Sequence, residues 1–210
     1  MLHIMLTSFL LFSGIFPLPA QAVDAFTAKC VTKDVTVCDV YLSSAIEEED
    51  AYIELYKKIA SLTAKDALVL HLAGRGGDAD TIMRLINTIK ESKALFIAMV
   101  EGPVMSAHAL LAVQANKIYV APNAYFLFHK AALSGGRTIQ EACEKFHGKK
   151  DRGQDAQKQC ENQLSFEMTN LNKLMAIYLK PVLTSDELVQ LFDGHELLIE
   201  GSEIARRLSK

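Results

Sequence analysis

The apolar residues of this chain switch repeatedly between strand-like and helical spacing. Phe26, Val31, Val35, Val37, Val40 and Tyr41 predict two short strands over residues 26–42 around a turn at Lys33-Asp34. Ser43-Ser44 breaks the run. Ile46 to Leu62 reads as a helix whose apolar stripe is Ile53, Tyr56, Ile59, Ala60 and Leu62. Its first turns carry Glu47, Glu48, Glu49 and Asp50, which suits the positive end of a helix dipole. Ala67 to Leu72 is a continuous apolar strand, and a helix follows from about Ala79 to Glu91 through Ile82, Leu85, Ile86 and Ile89. Ala94 to Val100 predicts another strand, ended by Glu101-Gly102-Pro103. Ser106 to Gln114 reads as a helix of small residues, and Lys117 to Val120 and Tyr125 to Phe128 as strands around Ala121-Pro122-Asn123.

Beyond residue 135 the pattern weakens. Gly135 to Gly153 is polar and charged. Helical spacing returns from Ser165 to Leu179 through Phe166, Met168, Leu171, Leu174, Met175 and Tyr178, and Pro181 ends it. Short helices are expected at Asp186 to Phe192, with Ser185 as cap, and at Glu203 to Leu208. Strands alternating with helices imply β-α-β units and a largely parallel sheet, an α/β fold. Functional groups in such folds gather at the C-terminal ends of the strands.

The N-terminus is read apart from this fold. Leu6 to Phe16 is apolar and is followed by Pro17-Leu18-Pro19-Ala20-Gln21-Ala22, which matches a secretory signal peptide over 1–22 with cleavage after Ala22. The segment carries no Lys or Arg before its apolar run, and the alternative is an uncleaved anchor. Residues 23–210 then form a single domain. The net charge of −3 on 210 residues gives no basic footprint for a nucleic acid. Four cysteines agree with export to an oxidising compartment, periplasmic or secreted. Cys30 and Cys38 flank the first turn, and facing residues of a hairpin could be bridged. Cys143 and Cys160 bracket the polar stretch, where a bridge would close a loop with little apolar surface. Four cysteines allow three connectivities, and the sequence does not choose among them. Their spacing is not a zinc pattern, and no metal or other cofactor is expected.

Three segments carry candidate chemistry. Ala73-Gly74-Arg75-Gly76-Gly77-Asp78, Gly102-Pro103-Val104-Met105-Ser106-Ala107-His108 and Phe126-Leu127-Phe128-His129 each follow an apolar strand. Acyl transfer needs a nucleophile, a base and backbone donors for an oxyanion. Ser106, His129 and the glycine pair Gly76-Gly77 supply one of each. Taken singly, Ser106 is a helix cap, His129 a core histidine and the Gly-Gly turn a common turn. His71, inside an apolar strand, is read as structural, and Asp78 as the cap of the following helix. His108 is either a neighbour of the site or helix surface, and His195 a loop residue beside Asp193.

Together these segments resemble the proteolytic subunit of the Clp protease, within the Clp–crotonase superfamily. The resemblance runs from Tyr41 to Lys130 and rests on Val40 to Glu49, Leu70 to Gly77, Gly102 to Ala109 and Phe128-His129. It implies a Clp–crotonase-like spiral of β-α-β units and a serine peptidase acting on peptide or protein substrates; together with the leader the picture is an exported bacterial member. Ser106 would be the nucleophile and His129 the base. Gly76 and Ala107 would be the oxyanion donors, with Gly77 as the alternative. Asp193 would be the third member of the triad, with Asp186 and Glu187 in reserve. Relatives form rings, which implies a homo-oligomer. The chain departs from the family at Arg75, where the glycine turn has Pro, at His108, where a small residue stands, and at Lys130-Ala131, where Gln-Pro follows the histidine. Export removes access to ATP, so no ATPase partner is expected.

Two other readings remain open. The fold could serve as a catalytically inactive binding or assembly module. A Ser–Lys dyad, resembling signal peptide peptidase A, would draw on Lys145, Lys149, Lys150 or Lys158. An acyl-CoA enzyme is disfavoured by the export signal.

Overall fold

A disulfide-closed hairpin opens the fold. Strands β1 (Thr27–Thr32) and β2 (Thr36–Leu42) pair antiparallel and set Cys30 opposite Cys38. The two cysteines are bonded, and Cys38 is fully buried. The computed structural model describes residues 26–133, 136–147 and 154–209, so the leader expected at 1–22 lies outside the described residues.

After β2 the chain makes a 3-10 turn at Glu49–Tyr52 and then helix α1 (Ile53–Ala60). The helix expected from Ile46 starts seven residues later. The backbone of Ile46 is taken elsewhere: its N–H donates to Gly76 O at 2.8 Å and its carbonyl accepts from Asp78 N–H at 2.9 Å. Strand β3 (Ala67–Gly74) leads to helix α2 (Ala79–Ser92), capped by the Asp78 side chain, which accepts from Thr81 N–H at 2.8 Å. Strand β4 (Leu95–Met105), helix α3 (Ala107–Ala112) and strands β5 (Lys117–Val120) and β6 (Tyr125–Phe128) follow.

The remainder is mostly helical. Helix α4 (Ile139–His147) and the 26-residue α5 (Gln154–Leu179) are joined by the Cys143–Cys160 disulfide. Helix α6 (Ser185–Asp193), strand β7 (Leu197–Glu200) and helix α7 (Gly201–Leu208) complete the chain. The cap of α6 is Thr184 rather than Ser185: Thr184 and Glu187 form a reciprocal capping box.

The sheet order is β1-β2-β3-β4-β6-β7, with β5 also paired to β4. Pairings among β2, β3, β4, β5 and β6 are parallel, and only the two edge strands run antiparallel. This is the α/β, largely parallel architecture that the alternating pattern predicts. The sheet buries Leu68, Leu70, Leu72, Phe96, Ala98, Val100, Phe126 and Phe128 against Leu55, Ile59, Ile82, Leu85 and Ile86 of α1 and α2. Each such large side chain contributes about 1.5–3 kcal/mol on leaving water.

Strand β4 runs on past Val100, where the sequence predicts an end. Its first half, Ile97 to Val100, pairs with β5, and its last residues, Val104 and Met105, pair with β6. Pro103, which has no N–H to donate, falls between the two ladders and outside both.

Candidate active site

Strands β3, β4 and β6 are neighbours, and all three end on the same side of the sheet. Register does the rest. Gly74 pairs with Val104, Val104 with Phe126, and Met105 with Leu127. Ser106 therefore leaves β4 next to the end of β6, and its N–H donates to Leu127 O at 2.8 Å. His129 follows Phe128 directly. Both side chains line one cleft, together with Gly77 and Ala107.

Ser106 sits at φ 51°, ψ −119°, a conformation that L-residues rarely adopt. It forms the corner between β4 and α3. It stands at the N-cap position of α3, but its side chain makes no capping bond. Among the described residues its hydroxyl has no hydrogen-bond partner, His129 included. Ala107, the first helical residue, also keeps an unpaired N–H, as the first turn of a helix does.

The glycine turn lies against this corner. Gly76 has φ 98°, and a Cβ built there would come within 2.6 Å of Ser106 Cβ. Gly77 has φ 148°, and its Cβ would meet Ile46 O at 2.1 Å. Only glycine fits either position. The Gly76 N–H, expected to face the oxyanion, instead donates to His108 Nδ1 at 3.0 Å. The Gly77 N–H keeps no partner among the described residues. The unpaired donors beside Ser106 are thus those of Gly77 and Ala107. His108 is completely buried, and burial pushes its pKa down to about 4 against a hydrogen bond to Leu42 O.

His129 Nδ1 lies 2.7 Å from Lys130 O. Asp193 ends α6 as an exposed residue and makes no hydrogen bond to His129. Its successor Gly194 comes close to the His129–Lys130 segment, since a Cβ on Gly194 would lie 3.3 Å from Lys130 Nζ. The reserve candidates are placed otherwise. Glu187 is held by Thr184 N–H at 2.8 Å and by a bidentate Arg207 at 2.8 and 3.0 Å, and Arg207 foremost holds its pKa down. Asp186 lies in the first turn of α6, at the other end of that helix from Gly194. Lys145 and Lys158 do not line the cleft, and Lys149 and Lys150 lie outside the described residues.

Around Ser106 and His129 the cleft is apolar, formed by Ala79, Ile82, Met83, Leu110, Ala131, Leu171 and Met175. Its mouth is acidic: Glu47, Glu48, Asp78, Asp80 and Glu167 line it, with Arg75 opposing them. The sequence reading missed this rim, although Glu47 and Glu48 adjoin the site because Ile46 is bonded to the glycine turn. It also missed Asn172, whose Oδ1 accepts from Ala131 N–H at 2.9 Å and so ties the strand-end histidine's loop to α5. An Asn inside the apolar stripe Leu171, Leu174, Met175 was the available signal.

His71 lies apart from the cleft. It bonds Glu101 at 2.7 Å and Asp39 at 3.2 Å and stacks on Tyr41. Burial alone would lower its pKa, but the two carboxylates outweigh burial and raise it. No helix among the described residues is long and apolar enough to cross a membrane.

A search of curated proteins finds no match for the chain. The family model for Clp protease matches residues 27–152, more than half of the sequence, and with this strand-end geometry the chain belongs to the Clp protease family.

Proposed function

We propose that this chain is an exported serine peptidase that cleaves peptide bonds by acyl transfer through Ser106, without an ATP-driven partner. The observation that carries the reading is the Ser106 corner, with a backbone at φ 51° and an uncapped hydroxyl. It lies beside the Gly77 and Ala107 N–H groups, which have no partner among the described residues, and in one cleft with His129.

In this mechanism the proton of neutral His129 resides on Nδ1, which donates to Lys130 O, leaving the Nε2 lone pair to act as base. Nε2 takes the Ser106 proton as Oγ attacks the scissile carbonyl. The tetrahedral oxyanion accepts from the Gly77 and Ala107 N–H groups. The imidazolium then protonates the leaving amine, and water repeats the sequence to release the acyl group. Asp193 is the third member in this reading, taking over the Nδ1–H from Lys130 O, and the nearness of its successor Gly194 to Lys130 supports it. Catalytic hydrogen bonds are often unformed before substrate binds.

The apolar cleft floor suits an apolar side chain next to the cut bond, and the acidic mouth suits basic residues flanking it. Export is supported by two disulfides in a chain with an apolar leader. In this reading residues 1–22 are removed and 23–210 form the mature domain. Phe166 and Ile177, 68% and 65% exposed on α5, support self-association.

The test is labelling of oxidised protein, beginning at residue 23, with a fluorophosphonate probe, alongside hydrolysis of a peptide library. Native protein should do both, and Ser106→Ala neither. A native protein inert in both assays would leave the inactive-module reading, which the absence of a Ser106–His129 hydrogen bond favours.

A further inference from the structure

His108 stands where the resemblance expects a small residue, and its imidazole is sealed from solvent with both nitrogens engaged. Nδ1 receives the Gly76 N–H at 3.0 Å, so Nδ1 is unprotonated and the ring proton is on Nε2. Nε2 then donates to Leu42 O at 3.2 Å. The ring lies against Gly74, where a Cβ would come within 2.7 Å of Cε1. One side chain thus joins the end of β2, the glycine turn and the helix that carries Ser106.

The peptide groups of the turn are nearly all spoken for. Gly76 N–H goes to His108, Gly76 O accepts from Ile46 N–H, and Asp78 N–H donates to Ile46 O. Of the N–H groups of residues 76–78, only that of Gly77 has no partner among the described residues. We propose that His108 is a positioning residue for catalysis: by accepting the Gly76 N–H it sets the turn so that the Gly77 N–H, with that of Ala107, meets the substrate oxyanion. This rests on the peptidase reading above. Burial holds the His108 pKa down to about 4, so the ring remains neutral and Nδ1 remains an acceptor at ordinary pH. A small residue at 108 would leave the Gly76 N–H buried without a partner, which a folded chain avoids by turning the peptide plane.

Two amide substitutions separate positioning from simple filling of space. Asn Oδ1 falls near the place of Nδ1 and can accept from Gly76. Gln reaches the place of Nε2 and can bond Leu42 while leaving Gly76 unpaired. His108→Asn should keep kcat within about tenfold of native. His108→Gln should lose roughly 10²–10³ in kcat, the usual cost of one oxyanion donor, with KM nearly unchanged. Affinity for a peptide boronic acid, whose adduct is tetrahedral, should fall in parallel with kcat. Both variants are compared as folded protein by circular dichroism. If the glutamine variant does not fold, ¹⁵N spectra of native protein decide. His108 Nδ1 should then resonate as an acceptor nitrogen and shift when the boronate adduct forms, and an unmoved signal overturns the inference. An active native protein whose Asn and Gln variants turn over alike ends this inference alone. An inactive native protein ends the peptidase reading and this inference with it.

Discussion

The strand ends and the α4–α5 hairpin are built on different principles. At the strand ends, continuous apolar strands set the register, and register brings Ser106, His129 and the glycine turn to one cleft. In the hairpin, α4 and the first half of α5 carry mostly polar residues and are linked by Cys143–Cys160. Side-chain pairs such as Gln157–Glu161 at 2.7 Å and Gln163–Glu167 at 3.0 Å run along α5. In the proposed reading the first region supplies the reacting atoms. The second supplies a wall, through Glu167, Met168 and Leu171. In the proposed reading the chemistry sits at the ends of the buried parallel strands, and the cleft wall on a mostly polar helix pair that a disulfide links.

That contrast can be broken most sharply at Ser106. Ser106→Ala should reduce turnover by roughly 10⁴–10⁶-fold while leaving the thermal midpoint within a few degrees, read by peptide hydrolysis and calorimetry. Turnover surviving within tenfold would take the reacting atoms away from the strand ends. The hairpin should behave in the opposite way. Replacing Cys143 and Cys160 together by Ala should cost about 3 kcal/mol of stability in urea, while probe labelling of Ser106 persists. Labelling lost in step with stability would show that the two regions are not separable.

Acid offers a third comparison, between His108 in the site region and His71 outside it. The His108 pKa is about 4 in the fold against 6.5 for a free side chain, so the unfolded chain binds more protons between those values. Stability from this group is lost as pH falls from about 6.5 to about 4, by roughly 3 kcal/mol at most. His71 works the other way: its raised pKa contributes stability at low pH that is lost as pH rises through the folded value. Denaturation at pH 7 and pH 4 should show a smaller acid loss in His108→Asn and a larger one in Glu101→Gln. The smallest effect belongs to the cleft mouth. Changing Glu47, Glu48 and Glu167 to Gln should lower kcat/KM for Lys- and Arg-bearing peptides several-fold relative to neutral ones. Exposed charges contribute up to about 1 kcal/mol each, and 0.5 M salt should erase most of the difference.

Legibility follows the same division. Leu68, Leu70 and Leu72, like Phe126 and Phe128, announce buried strands because parallel strands are apolar runs, and the position of His129 follows from where its run stops, whereas Ser106 stands beyond the end that the apolar run of β4 predicts. The polar faces of α4 and early α5 have no such signature, since the Cys143–Cys160 link replaces the apolar surface that periodicity detects. Strand β7 is four residues long and exists through its antiparallel pairing with β6, a contact between distant segments that no local pattern records. The bonding of His108 was hidden for a related reason, because it depends on how the turn at Gly76 orients its peptide.

The backbone of Ser106 has a further consequence. A residue with a Cβ held at φ 51° costs the fold on the order of 1 kcal/mol that glycine would not. A Ser106→Gly protein should therefore outlast the native one on heating while cutting nothing, and the chain gives up part of its heat tolerance to keep a hydroxyl at that bend.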